Sequence, residues 1–146
     1  TNPIDDPNII INYPINTPAE GEIMMNRPLY HNLMQNDEYF ARYHEYFDMF
    51  ISEYFENGRF EETLAQTEQM IAPYVQKDPT SFCSYEDHKL AVDTLKSVCL
   101  LRAESVRGQL EGYFPSTLQQ QLYMDAGVDA SEIKLTDLGD FDDLSS

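Results

Sequence analysis

Between Asn36 and Gly58, apolar residues recur at intervals of three and four, which is the repeat of an α-helix with one buried face. Seven of the eight residues in this stripe are aromatic: Tyr39, Phe40, Tyr43, Phe47, Phe50, Ile51, Tyr54 and Phe55. Asn36 is a favoured N-cap residue, and Gly58 supplies the left-handed conformation that often follows a helix. A chain with such a segment must bury the stripe, so we interpret it as core packing rather than as a ligand groove.

Further segments carry the same repeat and predict helices over residues 28–35, 60–76 and 85–111. Pro73 lies inside the second of these and should kink the helix or split it near Ala72. The third helix begins with a capping box, Ser84 to Asp87, and its predicted buried stripe includes Leu95 and Arg102. Because short connections favour antiparallel neighbours, we predict an all-α fold, an antiparallel bundle of three to four helices.

The chain divides by composition into three parts: an N-terminal strap (1–27), a helical domain (28–112) and an acidic tail (113–146). Four prolines interrupt the strap, so it should lie extended along this domain or along a missing one. Within it, residues 9–11 are three isoleucines and could form either an edge strand or a simple apolar strap. We expect the tail to be mobile when left alone, although its sparse apolar residues could dock on another surface: Ile133, Leu135, Leu138, Phe141 and Leu144.

The charge excludes several classes of function. The chain has 146 residues with 26 acidic and 9 basic side chains, a formal charge of −17. Such a surface disfavours nucleic acid and anionic membranes, whereas a basic protein partner is compatible with it. No apolar run approaches the ~20 residues of a spanning helix. The first residue is Thr1 rather than Met, which predicts a processed or excised chain.

Side chains that often carry chemistry are few. Cys83 and Cys99 should lie on the order of 20 Å apart along a helix, too far for a disulfide. The histidines have no nucleophile pattern beside them: His31, His44 and His88. Acidic and hydroxyl residues cluster in the tail without the spacing of a calcium loop: Asp125, Asp129, Ser131, Glu132 and Asp137. We therefore assign no catalytic, cofactor-binding or metal-ligating residue.

Arg102 is the exception on the last helical stripe, where an apolar residue is expected. A half-buried guanidinium needs carboxylate or carbonyl partners. Asp78, or a glutamate of an earlier helix, could supply the carboxylate. We interpret Arg102 and Asp78 as a structural clamp.

Several short motifs occur in a fixed order along the chain: Arg27-Pro28-Leu29, Glu38-Tyr39 with Tyr43, Ile71-Ala72-Pro73, Lys77-Asp78-Pro79, Phe82, Ser84-Tyr85-Glu86-Asp87 and Leu101-Arg102. This series resembles the C-terminal helical portion of the spore-coat-protein-H (CotH) kinase family. The resemblance covers roughly residues 27–110 and extends more loosely to Pro115-Ser116-Thr117 and Val128-Asp129-Ala130-Ser131.

The resemblance implies an atypical kinase-like fold that phosphorylates secreted or coat-associated proteins with ATP and a divalent metal, outside the cell or at a spore or cell surface. The nucleotide-binding lysine and the metal-binding Asp-x-Asp/Asn segment of the family precede its helical portion. This chain has neither, so no catalytic residue is carried over. We expect an inactive helical part whose partner is the remaining kinase lobe, with the strap lying on that lobe. The alternative is a stand-alone acidic helical binding or structural module.

Overall fold

The computed structural model describes residues 6–18, 26–81 and 83–139, and within these ranges the fold is all-α without strands. The prediction of an all-α protein is therefore confirmed. Asp5, Phe82 and the tail acids beyond Gly139 lie outside the described residues. In chain order the elements are α1 (Pro7–Ile11), α2 (Pro28–Met34), α3 (Asp37–Ile51), a π-helical turn (Ser52–Glu56), α4 (Arg59–Val75), α5 (Tyr85–Leu110), α6 (Leu118–Gln121) and a 3₁₀ turn (Leu135–Leu138).

Helices α3 and α5 begin at the predicted residues because their N-caps form, whereas α3 ends at Ile51, where the π-helical turn continues to Glu56. The Asn36 side chain accepts hydrogen bonds from the N–H groups of Glu38 and Tyr39, at 3.0 and 3.2 Å. At the start of α5, the Ser84 hydroxyl accepts from the Asp87 N–H while the Asp87 carboxylate accepts from the Ser84 N–H. These bonds satisfy N–H groups that have no partner inside the helix.

Pro73 does not split its helix. α4 runs unbroken through Pro73 to Val75, and the Gln76 N–H still bonds to the Ala72 carbonyl at 3.0 Å. The proline lies in the last turn, so the ring removes only one backbone hydrogen bond near an end that is about to terminate. Of the two predicted outcomes, a kink or a split near Ala72, the split does not occur.

Residues 9–11 form neither an edge strand nor an extended strap, because α1 covers them. Asp6 is its N-cap and accepts a 2.9 Å hydrogen bond from the Asn8 N–H, while Pro7 occupies the first turn. An N-cap followed by proline is a helix start signal, and here it outweighs the strand preference of three isoleucines.

α5 is the central element, since α1, α3, α4 and the 3₁₀ turn all pack on it. An ion pair joins Glu61 to Lys96 at 2.8 Å, and His88 Nε2 lies 2.9 Å from a Glu68 carboxylate oxygen, so α4 and α5 run antiparallel. Leu95, predicted to be buried, is 43% exposed. The buried residues of α5 are, apart from Val106, polar or small: Thr94, Ala103, Ser105, Val106, Gly108 and Gln109.

Two apolar clusters lie against α5, and both include residues from outside the helical domain. In one, Ile15 packs with Ile51, Ala103 and Val106. In the other, Ile11 packs with Val128 and Ala130. The described part of the strap thus lies on these helices and not on a missing lobe. Residues 113–139, here called the cover segment, also reach these helices, since Val128 and Ala130 are buried in the second cluster and Ile133 packs against it.

Membrane insertion through a helix has no support in the described part of the chain. None of its helices is both long and apolar enough to cross a bilayer.

Candidate functional site

The most densely bonded feature of the molecule is the anchor segment, residues 11–17, which leaves α1 and runs across α5. Three of its side chains are almost fully buried: Ile11, Pro14 and Ile15. The segment after Ile11 has no regular secondary structure, so its buried peptide groups cannot bond to one another. Groups from elsewhere in the chain, most of them side chains, therefore supply many of their partners.

Two polar residues of α5 supply most of these partners. Arg102 donates from Nη1 to the carbonyls of Ile11 and Tyr13, at 2.9 and 2.6 Å. About two turns further on, Gln109 accepts a 2.9 Å hydrogen bond from the Ile15 N–H and donates to the Tyr13 carbonyl at 3.3 Å. Donors of α5 thus bind the carbonyls of the anchor, and an acceptor of α5 binds its Ile15 N–H. These hydrogen bonds hold the anchor backbone in one position along the helix.

The opposite side of the anchor is bound by α2 and α3. The Tyr43 hydroxyl donates to the Ile15 carbonyl at 2.6 Å, and the Tyr30 hydroxyl donates to the Asn16 carbonyl at 2.9 Å. His44 Nε2 lies 2.7 Å from Asn16 Oδ1. The prediction that the aromatic stripe is buried core is therefore largely wrong, because Ile51 is its one buried residue while Tyr39 and Phe50 are 52% and 56% exposed. Tyr43, which belongs to the stripe, instead presents its hydroxyl to a peptide backbone.

Burial shifts the ionisation of the groups that bind the anchor. Loss of hydration raises the pKa of Tyr43 to about 12, with a smaller contribution from Tyr30. Burial lowers the pKa of the Arg102 guanidinium, an effect partly opposed by Tyr43. At neutral pH the phenol thus stays a hydrogen-bond donor and the guanidinium stays charged, as their contacts require. The site binds main chain and contains no nucleophile paired with a base.

His44 should make stability depend on pH between about 5 and 7. Burial lowers the pKa of its imidazole below the ordinary value, so in this interval the unfolded chain binds more protons than the folded one. Its contribution is therefore complete above about pH 6.5 and declines as the pH falls toward the folded-state pKa. We expect His44→Gln to flatten the fall in unfolding free energy measured by urea denaturation between about pH 7.5 and 5.5; an unchanged slope would contradict this.

Arg102 is bound as expected of a structural clamp, but not by Asp78. Both of its hydrogen bonds go to carbonyls of the anchor, the second of the partner types considered. The Asp78 carboxylate instead accepts from the N–H and hydroxyl of Thr80, at 2.9 and 2.7 Å, which lowers its pKa. No ion pair between Arg102 and Asp78 exists among the ranges described.

The remaining candidates are dispersed. Cys83 and Cys99 are free thiols, and His88 pairs with Glu68. Nowhere in residues 6–18, 26–81 and 83–139 do three His, Cys, Asp or Glu side chains come together in a way that could hold a metal ion. The Asp129 carboxylate accepts from the Ser131 N–H at 3.0 Å, an ordinary turn contact.

Sequence reasoning missed Gln109, Tyr30 and the anchor itself. Gln109 is only 4% exposed, and a glutamine on a buried helical stripe is an anomaly of the same kind as Arg102. That anomaly was visible in the sequence. The identity of the bound segment was not, because Gln109 and Ile15 are 94 residues apart.

Comparison with family models decides which proteins this chain is related to. Residues 12–106, more than half of the chain, match the family described as CotH kinase protein. The chain belongs to the CotH kinase family. The resemblance found in the motifs of residues 27–110 is therefore confirmed. Comparisons with curated proteins and with solved structures returned no match.

Both ends of the CotH match fall within the anchor site. The match begins at Asn12, inside the anchor, and ends at Val106, within α5. The first residues of the family region are therefore held by its last helix. Gln109 and the cover segment, which also bind the anchor, lie beyond the match.

Proposed function

We propose that this chain is the C-terminal helical part of a CotH-like atypical protein kinase and supports the kinase lobe without being a catalyst itself. The observation that carries the proposal is the anchor, whose main chain is bound by Arg102, Gln109, Tyr43 and Tyr30. A polypeptide leaving a lobe on the N-terminal side would enter this clamp. The helices would then fix where that lobe sits, outside the cell or at a spore or cell surface.

The chemistry of the family requires ATP and a divalent metal, and the described residues do not fit such a site. Their acidic, histidine and cysteine side chains form no group able to hold a metal ion. The buried polar groups of the anchor site are already engaged by main chain. We therefore derive no phosphoryl-transfer step for this chain, and the proposal places that step on the remaining lobe of the same polypeptide.

A direct assay tests the proposal. The purified chain, incubated with radiolabelled ATP, magnesium or manganese and an acceptor protein, should transfer no more phosphate than a blank without it. Robust transfer by the chain alone would overturn the supporting role. The reading frame upstream of the codon for Thr1 gives a second test, because the proposal expects a lysine-bearing strand and an Asp-x-Asp segment there.

The charge favours a second candidate, a stand-alone acidic module that binds a basic protein. A formal charge of −17 would attract such a partner over several ångströms and make association sensitive to salt. An unrelated domain or a stop codon upstream of Thr1, together with salt-sensitive capture of a basic protein, would favour this function over the first.

A further inference from the structure

Asn12 joins the anchor to the cover segment. Its side-chain Nδ2 donates to the Val128 carbonyl at 2.8 Å, and its Oδ1 accepts from the Val128 N–H at 2.9 Å. The same Oδ1 accepts from the Ser105 hydroxyl of α5, at 2.9 Å. One amide therefore links three parts of the chain, and nothing on its polar end is left free to bond elsewhere.

Further hydrogen bonds between anchor and cover lie at Asn12 and at residues that follow it in the anchor. The Asn16 N–H donates to the Ser116 carbonyl at 2.9 Å, and the Leu118 N–H donates to the Thr17 hydroxyl at 2.8 Å. Gln121 Nε2 donates to the Asn12 carbonyl at 2.7 Å. The cover thus satisfies the Asn16 N–H and supplies the shorter hydrogen bond to the Asn12 carbonyl, which Gln109 of α5 contacts at 3.5 Å.

The cover also completes the burial of Ile11. Ile11 is 0% exposed, and the buried residues beside it are Val128 and Ala130 of the cover. The other side of its cluster is formed by α5 through Val98 and Leu101. Without the cover, an isoleucine and several backbone groups would meet water, and the anchor would lose much of what holds it on α5.

We infer that the cover segment is a conformational latch: the anchor stays on α5 only while the cover is closed over it, and opening the cover releases the anchor. The inference is independent of the kinase role, since both segments belong to this chain. It gives residues 113–139, which lie outside the family match, the role of holding the anchor on α5.

Gly127→Ala is the sharpest way to open the latch. A Cβ at this position would lie 2.7 Å from both Cγ and Oδ1 of Asn12. Real Cβ contacts are not that short, and Asn12 can move only by breaking the hydrogen bonds that link the segments. Gln119→Ala is the matched control, because Gln119 is an exposed residue of the cover, in α6.

Amide hydrogen exchange measured by NMR on the full chain reads the result residue by residue. The key reporter is the Ile15 N–H, because its partner is Gln109 of α5 and not a cover residue. In Gly127→Ala we expect about tenfold or faster exchange at both Val128 and Ile15, with interior amides of α4 unchanged. Gln119→Ala should leave all of these rates as they are.

Two results would overturn the latch. In the first, Val128 exchanges faster while Ile15 keeps its protection, so the anchor does not depend on the cover. In the second, the exchange rates of the α4 amides rise together with that of Ile15, which would mean that the whole chain unfolds in one step. Thr17→Val, which removes only the hydroxyl that accepts from Leu118, guards against a simple folding failure. Global acceleration in this milder variant as well would end the proposal.

Discussion

Ile15→Ala should lower the free energy of unfolding by about 2–5 kcal/mol, the range for emptying a well-packed isoleucine site. Ile15 is 1% exposed and packs with Ile51, Ala103 and Val106 at the point where the anchor crosses α5. Truncating the Ile15 side chain therefore leaves a cavity in a cluster whose residues come from three separate parts of the chain. Urea or guanidinium denaturation measures the loss as a lower midpoint at unchanged slope.

The control for this substitution comes from the same region. Ile9 lies on α1 and is 45% exposed, so Ile9→Ala removes the same atoms with little burial lost. We expect it to cost below about 1 kcal/mol. If the two variants lost equal stability, Ile15 would not occupy the buried position described here.

Arg102→Leu should have the second-largest effect, a loss of about 2–4 kcal/mol. Leucine keeps apolar contact but leaves the carbonyls of Ile11 and Tyr13 without their donor in a poorly hydrated place. Each hydrogen bond from a charged group contributes about 1.5–3 kcal/mol to stability. Replacing the guanidinium also removes the desolvation cost of burying its charge, which offsets part of the lost hydrogen-bond energy.

Two further variants separate the role of Arg102 from a general effect of charge. Arg42→Leu removes a guanidinium paired with Glu45 on the surface, where both side chains are more than half exposed, and should cost at most about 1 kcal/mol. Arg102→Lys retains a donor at the same place and should recover part of the loss. Equal losses for Arg42→Leu and Arg102→Leu would contradict the clamp.

Local signals in the sequence were sufficient to predict where the long helices lie. Asn36, Gly58 and the Ser84–Asp87 capping box act within a few residues, so their effect could be predicted from spacing alone. Asp6-Pro7 carried the same kind of signal, and it was outweighed in the prediction by the isoleucines that follow. Pro73 was given too much weight in the prediction. A proline in the last turn of a helix removes few backbone hydrogen bonds, so α4 continues through it.

The site was only partly predictable because its contacts join residues far apart in the chain. Arg102 was recognised as an anomaly on a buried stripe, but periodicity could not say that its partners were carbonyls 89 and 91 residues earlier. Asn12 and Val128 are 116 residues apart, and neither has an unusual local pattern. Leu95 was misplaced for a related reason: the buried side of α5 is set by the polar anchor and not by an apolar partner helix alone.

The distance along the chain between the anchor and its partners also sets an order of events during synthesis. Ile15 leaves the ribosome 94 residues before Gln109, a delay of roughly 5–20 s at about 5–20 residues per second. The local α4–α5 hairpin can form as soon as both helices are made, whereas closing the long loop from the anchor to α5 is slow. During that interval Ile11 and Ile15 have no pocket to enter. The nascent chain therefore presents an isoleucine-rich stretch that chaperones would recognise, and crowded expression would expose it to aggregation.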